Sequence, residues 1–199
     1  ASSLEVMVHP QINAPWREAG AVVAGPGWSK KHHAILVDIL ESDRVTVLDA
    51  EALNMLTESE ALYGLVKSRR ALTVLTPHAG EAARLLEKSS AEIQKNRLVS
   101  ALDLAEKYQA WVVLKGAQTL MVSPQKEVWL NPFGSINLAT AGTGDVLAGM
   151  IGGLLAAGKN PDVAIPAAVA LHGLAGEQSG WHRAGELEDL VAIQVQQFR

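Results

Sequence analysis

The stretch AGTGDVLAG, residues 141–149, holds one carboxylate, Asp145, between a glycine-rich turn and a long run without charge. Gly142 and Gly144 give that turn backbone angles closed to other residues and leave amide N–H groups uncovered. The helix predicted to begin near Asp145 adds its positive N-terminal end, which makes the turn an anion site. An aspartate there complements the helix end, so spacing alone gives it the plain role of an N-cap, worth ~1 kcal/mol. A chemical role stays open beside it.

Two nucleotide fingerprints fail against these residues. After Gly142 and Gly144 the third glycine of GxGxxG is replaced by Leu147, and no strand with a following acid supports a dinucleotide turn. GLLAAGKN, residues 153–160, imitates a P-loop, but Asn160 stands where a magnesium-binding Ser or Thr is needed, and the glycine-lysine pair ends a helix. Gly158 reads as that helix's C-cap.

VVLKGAQT, residues 112–119, ends an apolar run with Lys115, Gly116 and Thr119. These supply a cation, an open backbone and a hydroxyl where a phosphate chain can lie; a surface lysine at a strand end is the competing reading. TPHAGE, residues 76–81, sets His78 and Glu81 in the turn after another such run. His78 is a hydrogen-bonding or substrate-positioning group and Glu81 a candidate metal ligand through water, or the pair serves helix capping with Glu81 in the first turn. Asp49 and Asn54 in VLDAEALN can act similarly or fix their turn. His9, His32, His33, His172 and His182 show no metal-ligand spacing with acids and are assigned to the surface or to packing.

The elements that must position these groups are legible as periodicities. AVVAGPG (21–27), RVTVLDA (44–50), ALTVLTPHAG (71–80) and WVVLKGAQ (111–118) are apolar runs ending in turn residues, the pattern of buried parallel strands. Between them KHHAILVDILES aligns Ile35, Leu36, Ile39 and Leu40 on one helical face, and SSAEIQKNRLVSALDLAEKYQ opens with Ser89 and Glu92 at capping-box spacing. This βαβ rhythm implies right-handed crossovers and ligands gathered at the carboxyl ends of the strands. TLMVS (119–123) and EVWLN (127–131) predict an added hairpin. From Asp145 the chain is expected to be helical, with Pro161 starting one helix, Pro166 in its second turn, and a last helix over about 185–198 carrying Leu187, Leu190, Val191 and Val195 on one stripe. The strand ends thus carry GPG, DAEALN, TPHAGE and KGAQT and the helix start carries AGTGD, so one shared cleft is expected.

Composition narrows the chemistry. Seventeen basic residues against 21 acidic ones, a net charge of -4, provide no footprint for nucleic acid and no polybasic patch for a membrane. The absence of cysteine removes disulfides, thiolate metal sites and a cysteine nucleophile, and fits a cytoplasmic protein. ASSLEVMVHP has neither an initiator methionine nor the pattern of a signal peptide. The longest apolar run, Val146 to Gly158, falls short of the roughly 20 residues of a membrane span and predicts a buried helix.

The stretches VAGPG, VLDAEALN, LTPHAGEAARLL, VVLKGAQT and NLATAGTGDVLAGMIGGLLAAG occur in family order over nearly the whole chain. They make it similar to the ADP- or ATP-dependent NAD(P)H-hydrate dehydratases of the ribokinase-like superfamily. GTGD alone indicates the superfamily; TPHAGE with KGAQT and AGTGDVLAG narrows it to this branch. The resemblance implies one ribokinase-like domain over residues 1–199, a three-layer α/β sandwich whose central sheet is mainly parallel and flanked by helices. It implies that Lys115, Gly116, Ala117, Gln118, Thr119 and Gly144 hold an adenine nucleotide, and that Gly27, His78 and Asp145 contact the hydrate of NADH or NADPH. Asp145 is then the catalytic base, the amides of Ala141, Gly142, Thr143 and Gly144 form the anion hole, and Mg2+ screens the phosphates, with Glu81 reaching it through water.

The same comparison shows departures. Family members usually have several dozen further residues before the segment matching ASSLEV, including a first βα unit, so a truncated N-terminus with an uncovered sheet edge is expected, and with it a homo-oligomer or partner that covers the edge. Alanine stands in TPHAGE where proline is common and in AGTGD where glycine is common. Two other functions compete: a ribokinase-like kinase for a small alcohol such as a vitamin precursor, and a nucleotide-binding homologue with impaired catalysis.

Overall fold

The structure, a computed structural model, describes residues 15–178 and 183–197. His9 and His182 lie outside the described residues. The four apolar runs form the strands β1 (Ala21–Ala24), β2 (Val45–Leu48), β3 (Thr73–Leu75) and β4 (Trp111–Leu114), and the expected hairpin forms β5 (Leu120–Val122) and β6 (Val128–Leu130). They make one sheet in sequence order, with β1 to β4 parallel and β5 and β6 antiparallel.

That order decides where the helices lie. Crossovers of one hand that always step in the same direction leave their helices on one face. The connecting helices are α1 (His33–Glu41), α2 (Glu51–Glu58), α3 (Glu60–Ser68), α4 (Ala79–Leu86), α5 (Ser90–Lys95) and α6 (Arg97–Tyr108). Their apolar sides form one core with Val22, Leu48, Leu75, Val112 and Leu114. The alternate strand residues, Val47, Val74, Trp111 and Val113, point to the opposite face, which is covered by α7 (Thr143–Ala156) and α8 (Pro161–Gly176). A final helix, α9 (Leu187–Gln197), packs mainly on α8.

Close approach of α7 to the sheet requires glycine. A β-carbon on Gly152 would lie 2.6 Å from Val23 Cγ2, so any side chain there pushes the helix off β1. The run Val146 to Gly158 is helical through Ala156 and buries one face, Leu147, Ala148, Ile151, Gly152 and Leu155, where its composition predicts burial all round, while Gly149, Gly153 and Ala156 stay exposed. Gly158 closes it in the left-handed region at φ 71°, its N–H donating to Leu155 O.

Three expectations need correction. The helix opens at Thr143 with Gly142 as its N-cap at φ 90°, so Asp145 is not the cap but the third residue of the first turn. The single helix expected after Ser89 breaks at Asn96 into α5 and α6, although the Ser89–Glu92 capping box forms. In α9, Leu187 is buried but the polar Gln194 joins it, while Leu190, Val191 and Val195 are only half-buried. The polypeptide also turns through a short 3-10 segment, Ala184–Glu186, before α9 begins.

Candidate active site

The carboxyl ends of β1 to β4 are laced by backbone bonds: Asp49 N–H donates to Ala24 O, Thr76 N–H to Leu48 O and Lys115 N–H to Pro77 O. The lacing needs Gly25, where φ is 117° and a β-carbon would fall 1.8 Å from Asp49 O. Ala50 then takes a positive φ of 49° to turn the chain into α2. Asp49 is delivered by this geometry into the site, buried at the end of β2.

Lys115 meets it there. Nζ lies 2.6 Å from Asp49 Oδ1 and 3.9 Å from Glu81 Oε2, with the lysine side chain 18% exposed and the two carboxylates 2% and 7%. A lysine this enclosed is no free surface group, and the two carboxylates are the charges that make its burial tolerable. Gly144 closes the cluster from α7: a β-carbon there would lie 3.3 Å from Lys115 Nζ and 3.8 Å from Asp49 Oδ2. The ion pair and the positive end of α7 therefore share one small volume.

His78 and Glu81 carry out the capping that their spacing allows. His78 Nδ1 accepts from the N–H groups of Gly80 and Glu81, and Glu81 Oε2 accepts from His78 N–H at 2.8 Å. His78 keeps an exposed ring, with Nε2 3.5 Å from Glu81 Oε1. Asn54 accepts from Arg84 Nε and donates to Glu51, so it fixes α2 against α4.

Beside this cluster opens a cavity of about 590 Å³, lined from one side by Lys115, Gly116, Ala117, Gln118 and Thr119 and at its floor by Thr143, Gly144 and Leu147. The turn after β4 is held from below by Arg97, whose guanidinium donates to Leu114 O and Lys115 O and fills the space where Gly116 has no side chain. The opposite wall is the loop after β6: Asn131, Phe133, Ile136 and Leu138. Asn131 Nδ2 donates to Phe133 O, and Ile136 is 76% exposed at the rim. The volume and the mix of apolar walls with a few polar groups suit a ligand of nucleotide size. Asp145, Gly27, His78, Glu81, Ala141 and Gly142 are not among its lining residues. Gly27 is exposed at φ 68° with open space where a side chain would stand.

The side chain of Asp145, one position beyond Gly144, makes no hydrogen bond or ion pair among the described residues, and the residue is exposed. His172, assigned by sequence to packing or the surface, is buried and lines the cavity from α8. Its Nε2 lies 2.9 Å from Thr143 O, and because a carbonyl only accepts, Nε2 carries the proton. Burial pushes the imidazole below its ordinary pKa, the Thr143 bond opposes that, and the charge of Lys115 adds to it. The loop wall and His172 had no motif to announce them. The signals present were the NPFGS turn after an edge strand and the spacing of Gly173 and Gly176, where β-carbons would strike Phe133 and Leu138. Among the described residues, no group of three or more His, Cys, Asp or Glu residues is placed to hold a metal ion, and no helix is long and apolar enough to cross a membrane.

The chain is 40% identical over 184 residues to a bifunctional NAD(P)H-hydrate repair enzyme of Moorella thermoacetica, covering 87% of this chain and 34% of that one. It is 41% identical to the ADP-dependent (S)-NAD(P)H-hydrate dehydratase of Neisseria meningitidis, covering 80% of this chain and 54% of that one. The chain thus spans about a third of the first relative and about half of the second. Among solved structures, the ADP/ATP-dependent NAD(P)H-hydrate dehydratase of Bacillus subtilis co-crystallised with ATP and Mg2+ superposes with a TM-score of 0.78 at 32% identity, covering 92% of this chain and 68% of that one. The fold is the ribokinase-like α/β sandwich. The model of the Carb_kinase family, described as NAD(P)H-hydrate dehydratase, matches residues 1–190, and the chain belongs to that family.

Proposed function

We propose that this protein dehydrates the hydrates of NADH and NADPH at the expense of ATP or ADP, a lyase that repairs a damaged cofactor. The observation that carries the reading is the unpaired carboxylate of Asp145 in the first turn of α7, next to Gly144, which lines the cavity. Residues 115–119 and Gly144 hold the nucleotide in that cavity, while Gly27, His78 and Asp145 contact the hydrated dinucleotide. Asp145 takes the proton of the ring hydroxyl as the hydroxyl oxygen attacks the terminal phosphorus. The bond from that phosphorus to the shortened nucleotide breaks, and the amides of residues 141–144 stabilise the charge that develops. Phosphate then leaves with the C–O bonding pair while the neighbouring ring carbon loses a proton, which restores the double bond of NAD(P)H.

The cluster beside the cavity sets two carboxylates, Asp49 and Glu81, against the ammonium of Lys115, and Asp145 follows Gly144 on α7. A polyphosphate added to this set needs a divalent cation, and the donors fit Mg2+ carried in on the phosphates. Glu81, already accepting from His78 N–H and beside Lys115, would hold such an ion through water. When bound, the ion supplies charge neutralisation. A homo-oligomer acting in the cytoplasm completes the proposal.

The test incubates the protein with NADH or NADPH hydrate, Mg2+, and ATP or ADP, and follows the reduced-nicotinamide absorbance. Recovery of that band with release of phosphate is expected, and Asp145→Asn is expected to lower kcat by about 10²–10⁴-fold with nucleotide affinity retained. A stable phosphorylated product in place of free phosphate contradicts the dehydratase, and unchanged turnover in the variant removes Asp145 as the base.

A further inference from the structure

Helix α8 touches both walls of the cavity. On one side Gly173 and Gly176 lack side chains, which lets the loop after β6 lie against the helix: β-carbons there would meet Phe133 O at 2.9 Å and Leu138 Cγ at 2.4 Å. On the other side, between these contacts and the anion-hole turn, stands His172, 7% exposed, donating from Nε2 to Thr143 O at 2.9 Å. Thr143 is held a second time through its hydroxyl, which lies 2.7 Å from Leu138 O and 2.9 Å from Thr140 O. The first residue of α7 is thus pinned to the loop wall by Oγ1 and to α8 by its carbonyl, and Gly144 and Asp145 follow directly.

We propose that His172 is a positioning residue that fixes the anion-hole turn at Gly142–Gly144 in register with the wall that receives the nucleoside, so that seating the nucleoside sets its terminal phosphate against the α7 amides. This rests on the assignment of the cavity to the adenine nucleotide. His172 acts through Thr143 and not by proton transfer. The bond spans two elements far apart in sequence, and a small rotation of α7 moves every donor of the turn at once. Misplacement on that scale taxes the transition state more than the bound nucleoside.

The experiment titrates adenosine and ATP with Mg2+ calorimetrically against the parent, His172→Leu and His172→Gln, and measures hydrate turnover in each. The parent binds ATP more tightly than adenosine. In His172→Leu the affinity for adenosine is retained, the advantage of ATP over adenosine falls by about five- to tenfold, and kcat falls by about 10- to 100-fold. His172→Gln, whose side-chain amide reaches as far as imidazole Nε2, restores both. If the leucine variant does not fold, His172→Asn, too short to reach Thr143, takes its place.

Equal weakening of adenosine and ATP, a glutamine variant that behaves like the leucine one, or a parent with no ATP advantage overturns the proposal. A parent that binds ATP tightly but never restores NAD(P)H overturns the dehydratase reading instead, and the ratio of ATP to adenosine affinity still decides the role of His172.

Discussion

At the scale of single residues, the charge balance around Lys115 is the most exposed to test. Its ammonium serves two buried carboxylates, and the partners are unequal: Asp49 at 2.6 Å, Glu81 at 3.9 Å. Removing Asp49's charge leaves Lys115 one carboxylate and some solvent, so Asp49→Asn should cost about 1–2 kcal/mol of stability. Removing the lysine leaves two enclosed carboxylates without a cation, and Lys115→Met should cost about 3 kcal/mol or more. Urea denaturation of both variants checks the order; a methionine variant as stable as the asparagine one contradicts the pairing. Sequence placed Lys115 and Gly144 at one cleft, and both line the cavity, because glycine-rich turns and strand ends are local signals; Asp145, expected beside them, is not among the lining residues. Sequence left Asp49 between two roles, since nothing local tells an ion-pair partner from a turn residue. Spacing alone left Asp145 between a helix cap and a chemical role, and the structure gives the cap to Gly142. The aspartate side chain makes no hydrogen bond or ion pair among the described residues.

At the scale of elements, strands and crossovers were legible because four apolar runs with turn endings admit little else, and the hairpin followed from two short runs around a turn. What sequence missed depends on tertiary contact. The loop wall of the cavity exists because α8 presents Gly173 and Gly176 to it, and the break at Asn96 splits a helical pattern whose periodicity runs through it. The α7–α8 bond carries a pH signature. Burial holds the His172 imidazole below its ordinary pKa of 6.5, so the folded state resists the second proton that the unfolded chain accepts. Lys115 disfavours that proton and the Thr143 carbonyl favours it, and burial decides the direction. The stability that this group contributes is therefore complete above pH 6.5 and is lost as pH falls from there through the folded value. Chemical denaturation between about pH 5 and about pH 8 should show a steeper acid loss in the parent than in His172→Gln, because the other titrating groups cancel in the comparison. Identical slopes would sink the assignment of a buried neutral imidazole.

At the scale of the whole molecule, the in-order sheet concentrates six connecting helices on one face and leaves the other to α7 and α8, which follow the last strand. The cavity lies on the seam: residues 115–119 belong to the turn between β4 and β5, Thr143 and Gly144 to α7, Val169 and His172 to α8. A nucleotide bound there ties the C-terminal layer to the sheet, contacting elements that otherwise meet through the second core. Binding should therefore raise global stability and not only order a loop. At a free ATP concentration of about 100 times Kd the linkage amounts to about 2.7 kcal/mol. For a domain of this length that corresponds to a rise in Tm of about 5–11 °C. Thermal unfolding with ATP and Mg2+ should show this rise, adenosine a smaller one, and inorganic phosphate almost none. Hydrogen exchange should slow along the first turns of α7 and the middle of α8 together, since one ligand touches both. A full Tm shift from phosphate alone, or protection confined to residues 115–119, is incompatible with a nucleotide that bridges the two layers.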